Sequence, residues 1–305
     1  MCLDSLFASL FQDFEVIVVD DASTDRTKVL LGSYPGCKLI CLKERGGPAR
    51  ARNLGAKEAK GEYLVFLDSD VELRPDSLSR LYDNLLRYDV TFGIYAVEPA
   101  EPSFATCFYH YLSRKSIEAT REDTRMFYSY FAGMKRKDFL ALGGFDEDWN
   151  RATFEDVVFG KKIKDGGFSI HLDKSMEVTH HIYYTPISLL RSYWRKSRDL
   201  ATITLLCGTL SLGEGWSRPW PMILLASLMT GTSALIIACW IRPFLWLAIP
   251  MLLFFFMSHL QLYWALGSRK ILYGISGVFM TVAVYAVTFL ASLAGVWNWL
   301  ERKKR

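Results

Sequence analysis

Tyr63-Leu64-Val65-Phe66-Leu67-Asp68-Ser69-Asp70-Val71 is the stretch whose reading decides the fold. Five mostly apolar residues, bounded upstream by Gly61, end in two carboxylates separated by one small residue. A short apolar run between turn signals reads as a buried strand of a parallel sheet. In open α/β sheets ligands bind beyond the carboxyl ends of the strands, so Asp68 and Asp70 lie where a ligand would be. Two carboxylates this close repel each other unless a cation shares them. A hard divalent ion that also bridges phosphate oxygens is the natural partner. A solvated turn at a strand end carries the same acids, so the signal is their placement rather than the pair itself.

Upstream, Cys2 to Leu10 has Leu3, Leu6, Phe7 and Leu10 on one helical face. Glu15 to Val19 reads as a second buried strand, ending in Asp20-Asp21-Ala22-Ser23-Thr24-Asp25, a polar turn able to cap the next helix. Lys38 to Leu42 is a short strand, Gly46-Gly47-Pro48 a break, and Ala49 to Lys60 a helix. Downstream, Pro75-Asp76 opens a helix through Leu86. This strand–helix alternation predicts a doubly wound, mostly parallel sheet. Two acidic strand ends in one such sheet define the edge of a cleft, where a carboxylate can accept from a nucleobase N–H or ribose hydroxyls.

From Val90 the pattern changes. Strands are expected at Val90–Val97, Tyr128–Ala132, Ser169–Asp173 and Met176–Thr179, the last closing at His180-His181. Helices are expected at Phe104–Ile117 and from Phe154-Glu155-Asp156 onward. Ile187 to Leu206 is a basic amphipathic helix with Arg191, Trp194, Arg195, Lys196 and Arg198.

The net charge, +4, is too small to argue for nucleic acid, but its distribution is uneven. Between Trp220 and Trp299 only Arg242, Arg269 and Lys270 are formally charged. Trp216, Pro219, Trp220 and Pro221 fit a membrane–water boundary. Three spans follow, roughly Met222–Trp240, Phe244–Trp264 and Ile271–Trp297, each near the ~20 residues needed to cross. Leu200 to Leu212 reads as interfacial. Three spans put Arg302-Lys303-Lys304-Arg305 outside if the front domain is inside, against the positive-inside tendency. Either Leu200–Leu212 also crosses, or the last segment is re-entrant. No basic n-region precedes the first apolar residues, so the front domain is expected on the cytoplasmic side of a multi-pass cell-membrane protein. Six scattered cysteines form no CxxC pair and read as reduced structural thiols.

Six motifs in order resemble the family 2 glycosyltransferases of the GT-A fold. Phe14 to Asp25 resembles the second strand and turn; Gly47-Pro48-Ala49-Arg50-Ala51-Arg52-Asn53-Leu54-Gly55 is similar to the Ala-Arg-Asn-x-Gly helix start. Phe66 to Asp70 resembles the metal-binding Asp-x-Asp, and Gly143-Gly144-Phe145-Asp146-Glu147 the acceptor-side loop. Glu155-Asp156 resembles the Glu-Asp motif, and Val178-x-His180 the closing Val-x-His. The resemblance covers about Cys2 to His181. It implies a GT-A-like α/β catalytic domain at 1–185, and the apolar runs beyond it divide the rest into interfacial helices and linker at 186–219 and an all-α transmembrane region of about three helices at 220–305.

It also implies roles. Asp21, with Asp20 beside it, reads the base of a nucleoside-diphosphate sugar; Arg52 and Glu155 lie at the substrate. Asp68 touches ribose or metal, and Asp70 ligates Mg²⁺ or Mn²⁺, with His180 reaching the metal or diphosphate. Asp156 is the general base of an inverting transfer. The three spans suggest a lipid-linked or saccharide acceptor at the cytoplasmic membrane face, as in envelope polysaccharide or glycolipid synthesis. Acids at a helix N-terminus also simply favour the dipole, and a surface ion pair is the plain alternative for Arg52. No Gln-x-x-Arg-Trp element is present, so Arg191, Trp194 and Arg195 read as a basic helix on anionic lipid. The family's first strand, which walls the nucleotide site, has no counterpart before Cys2. A sheet lacking it leaves backbone groups unpaired, which points to a start placed too late or to an impaired, scaffold-like protein. A nucleotidyltransferase also uses acidic strand ends, but its Gly-rich phosphate loop is not seen.

Overall fold

The structure, a computed structural model, describes residues 1–147, 155–207 and 219–303. In chain order the elements are α1 (Cys2–Phe7), β1 (Val16–Asp20), α2 (Thr27–Leu31), β2 (Cys37–Cys41), α3 (Gly47–Glu58), β3 (Tyr63–Leu67) and β4 (Val71–Leu73). Then come α4 (Ser77–Leu85), β5 (Val90–Tyr95), α5 (Phe104–Glu118), β6 (Phe131–Lys135), α6 (Arg136–Ala141), α7 (Glu155–Asp165) and β7 (Ile170–His180). The rest is helical: α8 (Pro186–Cys207), α9 (Pro219–Ala238), α10 (Leu245–Met257), α11 (Leu260–Arg269) and α12 (Ile271–Lys303). The chain packs as two units, residues 1–96 with 120–181, and residues 97–119 with 182–305.

The first unit is α/β, with a five-stranded sheet in the order β3-β6-β5-β7-β4 and a separate parallel pair, β1-β2. The sheet is mixed, which corrects the mostly parallel reading: β5 and β7 are parallel, while β3/β6, β5/β6 and β4/β7 are antiparallel. Apolar runs mark strands but carry no direction. Only the connections do, since parallel neighbours need a long crossover. Tyr63–Leu67 is covered on one face only: Leu64 and Phe66 are buried, but Val65 is 42% exposed. The central strand is β5, buried from Val90 to Ile94.

The two strands expected at Ser169–Asp173 and Met176–Thr179 are one strand with an irregularity. Phe92 pairs with Leu172 and Ile94 with Glu177, so Gly93 faces the excursion at residues 173–176. A Cβ on Gly93 would lie 2.3 Å from the Met176 carbonyl oxygen, which only glycine permits. Helix α4 presents Leu78, Leu81 and Leu85, at i, i+3 and i+7, to the core with Phe131, Met176 and Val178. Each buried leucine contributes about 1.5–3 kcal/mol.

The second unit is helical. Its core joins Phe108 of α5, Leu189 and Tyr193 of α8, Leu262 and Leu266 of α11, and Met280 and Val284 of α12. Among the described residues one helix, α12, is long and apolar enough to cross a membrane by itself. The span expected over Phe244–Trp264 is instead a bent pair: residues 242–257 and 260–269 meet at 50°. The bend has a local cause. Ser258 Oγ donates to the Phe254 carbonyl (2.7 Å), and His259 Nδ1 lies 2.8 Å from the Phe255 carbonyl, so side chains occupy helix acceptors at the break. The Ile223–Ala238 stretch is apolar but shorter. Of the interfacial Leu200–Leu212, residues 208–212 lie outside the described residues, as do Trp216 and Arg305.

One clamp joins α3 to the Gly143-Gly144-Phe145 loop. Asn53, buried on the Ala49-Asn53-Ala56 face of α3, accepts from Phe145 N (2.9 Å) and donates to Phe145 O (2.9 Å) and Glu147 Oε1 (2.8 Å). Gly144 has φ +66, and a Cβ there would meet Asn53 Oδ1 at 2.5 Å. The loop therefore needs glycine both for its backbone angle and for the approach of the amide. Asn53→Ala strands the buried N–H and C=O of Phe145 and is expected to cost about 2–4 kcal/mol. Thermal unfolding of the detergent-solubilised chain, followed by tryptophan fluorescence, checks this. Asn53→Asp, which sets a buried carboxylate against the Phe145 carbonyl and Glu147 Oε1, should destabilise at least as much as Asn53→Ala; an unchanged midpoint for Asn53→Ala would refute the clamp.

Candidate active site

The site assembles along α3. Its N-terminus follows Gly46-Gly47-Pro48, where Gly47 has φ +81 and proline presets the first-turn angle. Asp21, just past β1, accepts from Gly46 N (2.6 Å) and Gly47 N (3.0 Å), so its carboxylate caps α3 rather than the helix following its own turn. Asp20 is buried; it accepts from Ser23 N (3.2 Å) and lies 3.7 Å from Lys28 Nζ. Between them and Ser23, Ala22 sits at φ 55, a left-handed angle uncommon outside glycine.

One and a half turns along α3, Arg52 reaches two motifs at once. Its Nη2 donates to Asp68 Oδ1 (2.7 Å) and its Nη1 to Glu155 Oε1 (2.9 Å). The guanidinium also lies 5.6 Å from the centre of the Phe145 ring, which belongs to a cluster with Phe66, Phe139 and Phe159. Burial works against its charge, but Asp156, Asp68 and Glu155 outweigh that and raise its pKa above the ordinary value. This is more than the surface pair that α3 alone would suggest.

Asp156 follows in the first turn of α7. Its Oδ2 accepts from Ser129 N (3.1 Å). Its Oδ1 is buried and has no hydrogen-bond partner among the described residues. Burial pushes the carboxyl up to about 7; Arg52 opposes this and Glu155 adds to it. The result is a buried carboxyl raised well above its usual range, with one oxygen unbonded among the described residues.

Asp70 and His180 meet because β4 runs antiparallel to β7, with Val71 opposite His180. Asp70 Oδ2 lies 3.4 Å from His180 Nε2. Burial raises the Asp70 pKa, but the hydrogen bond and charge of His180 prevail and hold it below the usual value. The His180 ring stacks on Tyr95 (4.3 Å), itself stacked on Tyr130 (4.1 Å). His181 points the other way, as strand alternation requires, and pairs with Glu72 at 2.7 Å. A carboxylate and an imidazole this close suit Mg²⁺ or Mn²⁺ whose other positions are taken by water and substrate oxygens. Asp68 does not join them: its carboxylate is held by Arg52, and no group of three or more candidate ligands forms among the described residues.

Three contributors carry no assignment in the sequence reading. Asn53 had a visible signal, a polar residue on the apolar stripe of α3. Ser129 acts through its backbone N–H and Tyr95 through its ring face, and neither leaves a mark in the sequence. Arg191, Trp194 and Arg195 are exposed on α8.

Residues 1–143 match the glycosyl transferase family 2 profile. Glycosyltransferase GlyA of Streptococcus pneumoniae serotype 4 is 25% identical over 227 residues, 72% of this chain and 30% of that protein. UDP-Glc:alpha-D-GlcNAc-diphosphoundecaprenol beta-1,3-glucosyltransferase WfaP of Escherichia coli is 37% identical over 78 residues, 23% of this chain and 31% of that one. The chain thus spans less than a third of either relative. Mannosyltransferase PcManGT of Pyrobaculum calidifontis, solved with GDP-Man and Mn2+, superposes with a TM-score of 0.58 at 19% identity, covering 97% of this chain and 82% of that one. That likeness is one of fold, and it is the fold of a glycosyltransferase. Residues 1–143 therefore form a glycosyl transferase family 2 domain, built on the GT-A plan.

Proposed function

We propose that the chain is an inverting, metal-dependent glycosyltransferase. It would move a sugar from a nucleoside-diphosphate donor to a lipid-linked or saccharide acceptor at the cytoplasmic face of a membrane. The observation that carries this reading is the buried Asp156 carboxyl, with one oxygen bound to Ser129 N–H and the other without a hydrogen-bond partner among the described residues. Arg52 supports it by tying Asp68 and Glu155 into the same array.

In this reading Asp156 takes the proton from the acceptor hydroxyl. The oxygen attacks the anomeric carbon on the face opposite the departing diphosphate, so a single displacement inverts the centre. Arg52 holds Asp68 and Glu155 in place beside the base, and Asp21 meets the nucleoside, with the buried Asp20 behind it holding the turn through Ser23 N rather than touching the nucleobase. Asp70 and His180 would hold Mg²⁺ or Mn²⁺, which when bound supplies positive charge to the diphosphate as it leaves. Residues 1–185 would be catalytic, 186–219 interfacial and 220–305 embedded in the membrane in about three crossings. The apolar composition of α9 to α12 supports that division, as does the diphosphoundecaprenol named for the Escherichia coli relative. Envelope polysaccharide or glycolipid synthesis is the corresponding setting.

The test is nucleoside-diphosphate release from a panel of nucleotide sugars. Asp156→Asn should lower the rate by about 10²–10⁴-fold, the usual worth of a positioned base. A base must be ionised to act, and burial pushes this carboxyl up to about 7. The rate should therefore fall as pH drops below that value and level off above it. Release that persists undiminished in both Asp156→Asn and Asp70→Ala would refute the assignment.

Chelation separates the metal from the base. Excess EDTA should abolish release and added Mn²⁺ should restore it in wild type. In Asp70→Ala the Mn²⁺ concentration giving half-maximal rate should rise at least about tenfold, as expected for loss of a charged ligand. Full activity in EDTA would remove the ion from the proposal.

A further inference from the structure

The helical unit of residues 97–119 and 182–305 contains its own cleft, between α5 and α11. A cavity of about 540 Å³ adjoins a second of about 550 Å³, and both are lined by Tyr111, Lys115, Trp264 and Ala265. The two ends differ in chemistry. The first cavity brings Arg114 and Lys115 of α5 together with Arg269 of α11, three cations against the carboxylates of Glu98 and Glu118. Glu118 is shared between Arg114 (2.7 Å) and Lys115 (3.7 Å). Arg269 pairs with Glu98, whose side chain is 67% exposed. An exposed pair of that kind is held weakly and can be exchanged for a better anion. The second cavity continues toward Leu260 and Gln261, beside Trp264, which is 78% exposed.

The cleft therefore follows one helix from charged to apolar. From Arg269 to Leu260, α11 spans about 13 Å. Arg269 and Lys270 are two of only three formal charges between Trp220 and Trp299, and they stand where α11 gives way to the membrane-length α12. Arginine is suited to phosphate, which it can meet with two parallel N–H groups. A tryptophan next to such a charge cluster fits the level of lipid headgroups.

We infer that this cleft binds a phosphate-headed membrane amphiphile, with the phosphate against Arg114, Lys115 and Arg269 and the hydrocarbon chain along Trp264 and Leu260. Free phosphate shares the head chemistry but leaves the apolar continuation of the cleft without an occupant. The inference concerns binding alone and stands or falls apart from the sugar-transfer reading.

The probe is hexadecyl phosphate carrying a diazirine in its chain, added to the full protein in phosphatidylcholine nanodiscs, with labelled peptides mapped by mass spectrometry. Label is expected on residues 104–118 and 260–269. Unlabelled hexadecyl phosphate should compete it away; inorganic phosphate and hexadecanol at equal concentration should not. Arg269→Gln and Lys115→Gln should each weaken binding about tenfold, the worth of one charge-assisted contact. Arg242→Gln, which changes an exposed charge outside the cleft, should leave it unchanged. Label spread over other helices, or equal competition by hexadecanol, would overturn the inference. Full competition by inorganic phosphate would do so too, by making the site one for the free ion. The competition series uses unaltered protein, so it decides the matter even if a variant misfolds.

Discussion

A single guanidinium holds the α/β unit's acidic cluster together. Arg52 donates to Asp68 at the end of β3 and to Glu155 at the start of α7, segments 87 residues apart in sequence, and its charge acts on Asp156 as well. One cation facing three carboxylates does not balance them. A half-buried cation with too many anionic partners stays charged, and the acid with least access to solvent absorbs the excess by binding its proton more tightly. That acid is Asp156: its burial is the main cause of its raised pKa, Arg52 opposes the rise, and Glu155 adds to it.

The same helix fixes the remaining parts. Asp21 holds the first amides of α3, Arg52 its middle, and Asn53, the very next residue, turns about 100° away to clamp the Phe145 backbone. Phe145 then packs under Arg52 within the phenylalanine cluster. So the short motifs of this unit are less a set of separate ligand contacts than the ends of one scaffold. A side chain whose hydrogen bonds are already committed to the protein cannot drift, and a site built this way is preorganised.

How far could this be read from the amino-acid sequence? The acidic strand ends at Asp20-Asp21 and Asp68-x-Asp70 were legible because an apolar run that stops at carboxylates is a strong local pattern. Strand direction was not, because β4 is only three residues long and its pairing with β7 is a long-range event that periodicity does not encode. That pairing is what brings Asp70 to His180. The three-ligand set of Asp68, Asp70 and His180 divides for a similar reason: Arg52 claims Asp68, and nothing in the Asp-x-Asp spacing announces which acid an arginine from another helix will take. The bend between α10 and α11 was hidden because Ser258 and His259 sit inside an otherwise uninterrupted apolar run, and only their bonds to the preceding turn reveal a break.

The charge distribution argues for the proposed chemistry from another side. Asp68, Asp70, Glu155 and Asp156 lie in one unit against Arg52 and a histidine that is neutral unless protonated. A donor diphosphate brings further negative charge into such surroundings and would be repelled from them. Two responses are open to a protein: keep one acid protonated, or admit a multivalent cation along with the anion. The raised Asp156 pKa leans toward the first. The second would relieve Asp70, whose carboxylate is held ionised by His180 and so is ready to meet a metal without first losing a proton. On the proposed reading the two acids divide the work because burial has raised one and His180 has lowered the other, to opposite sides of the ordinary carboxylate range.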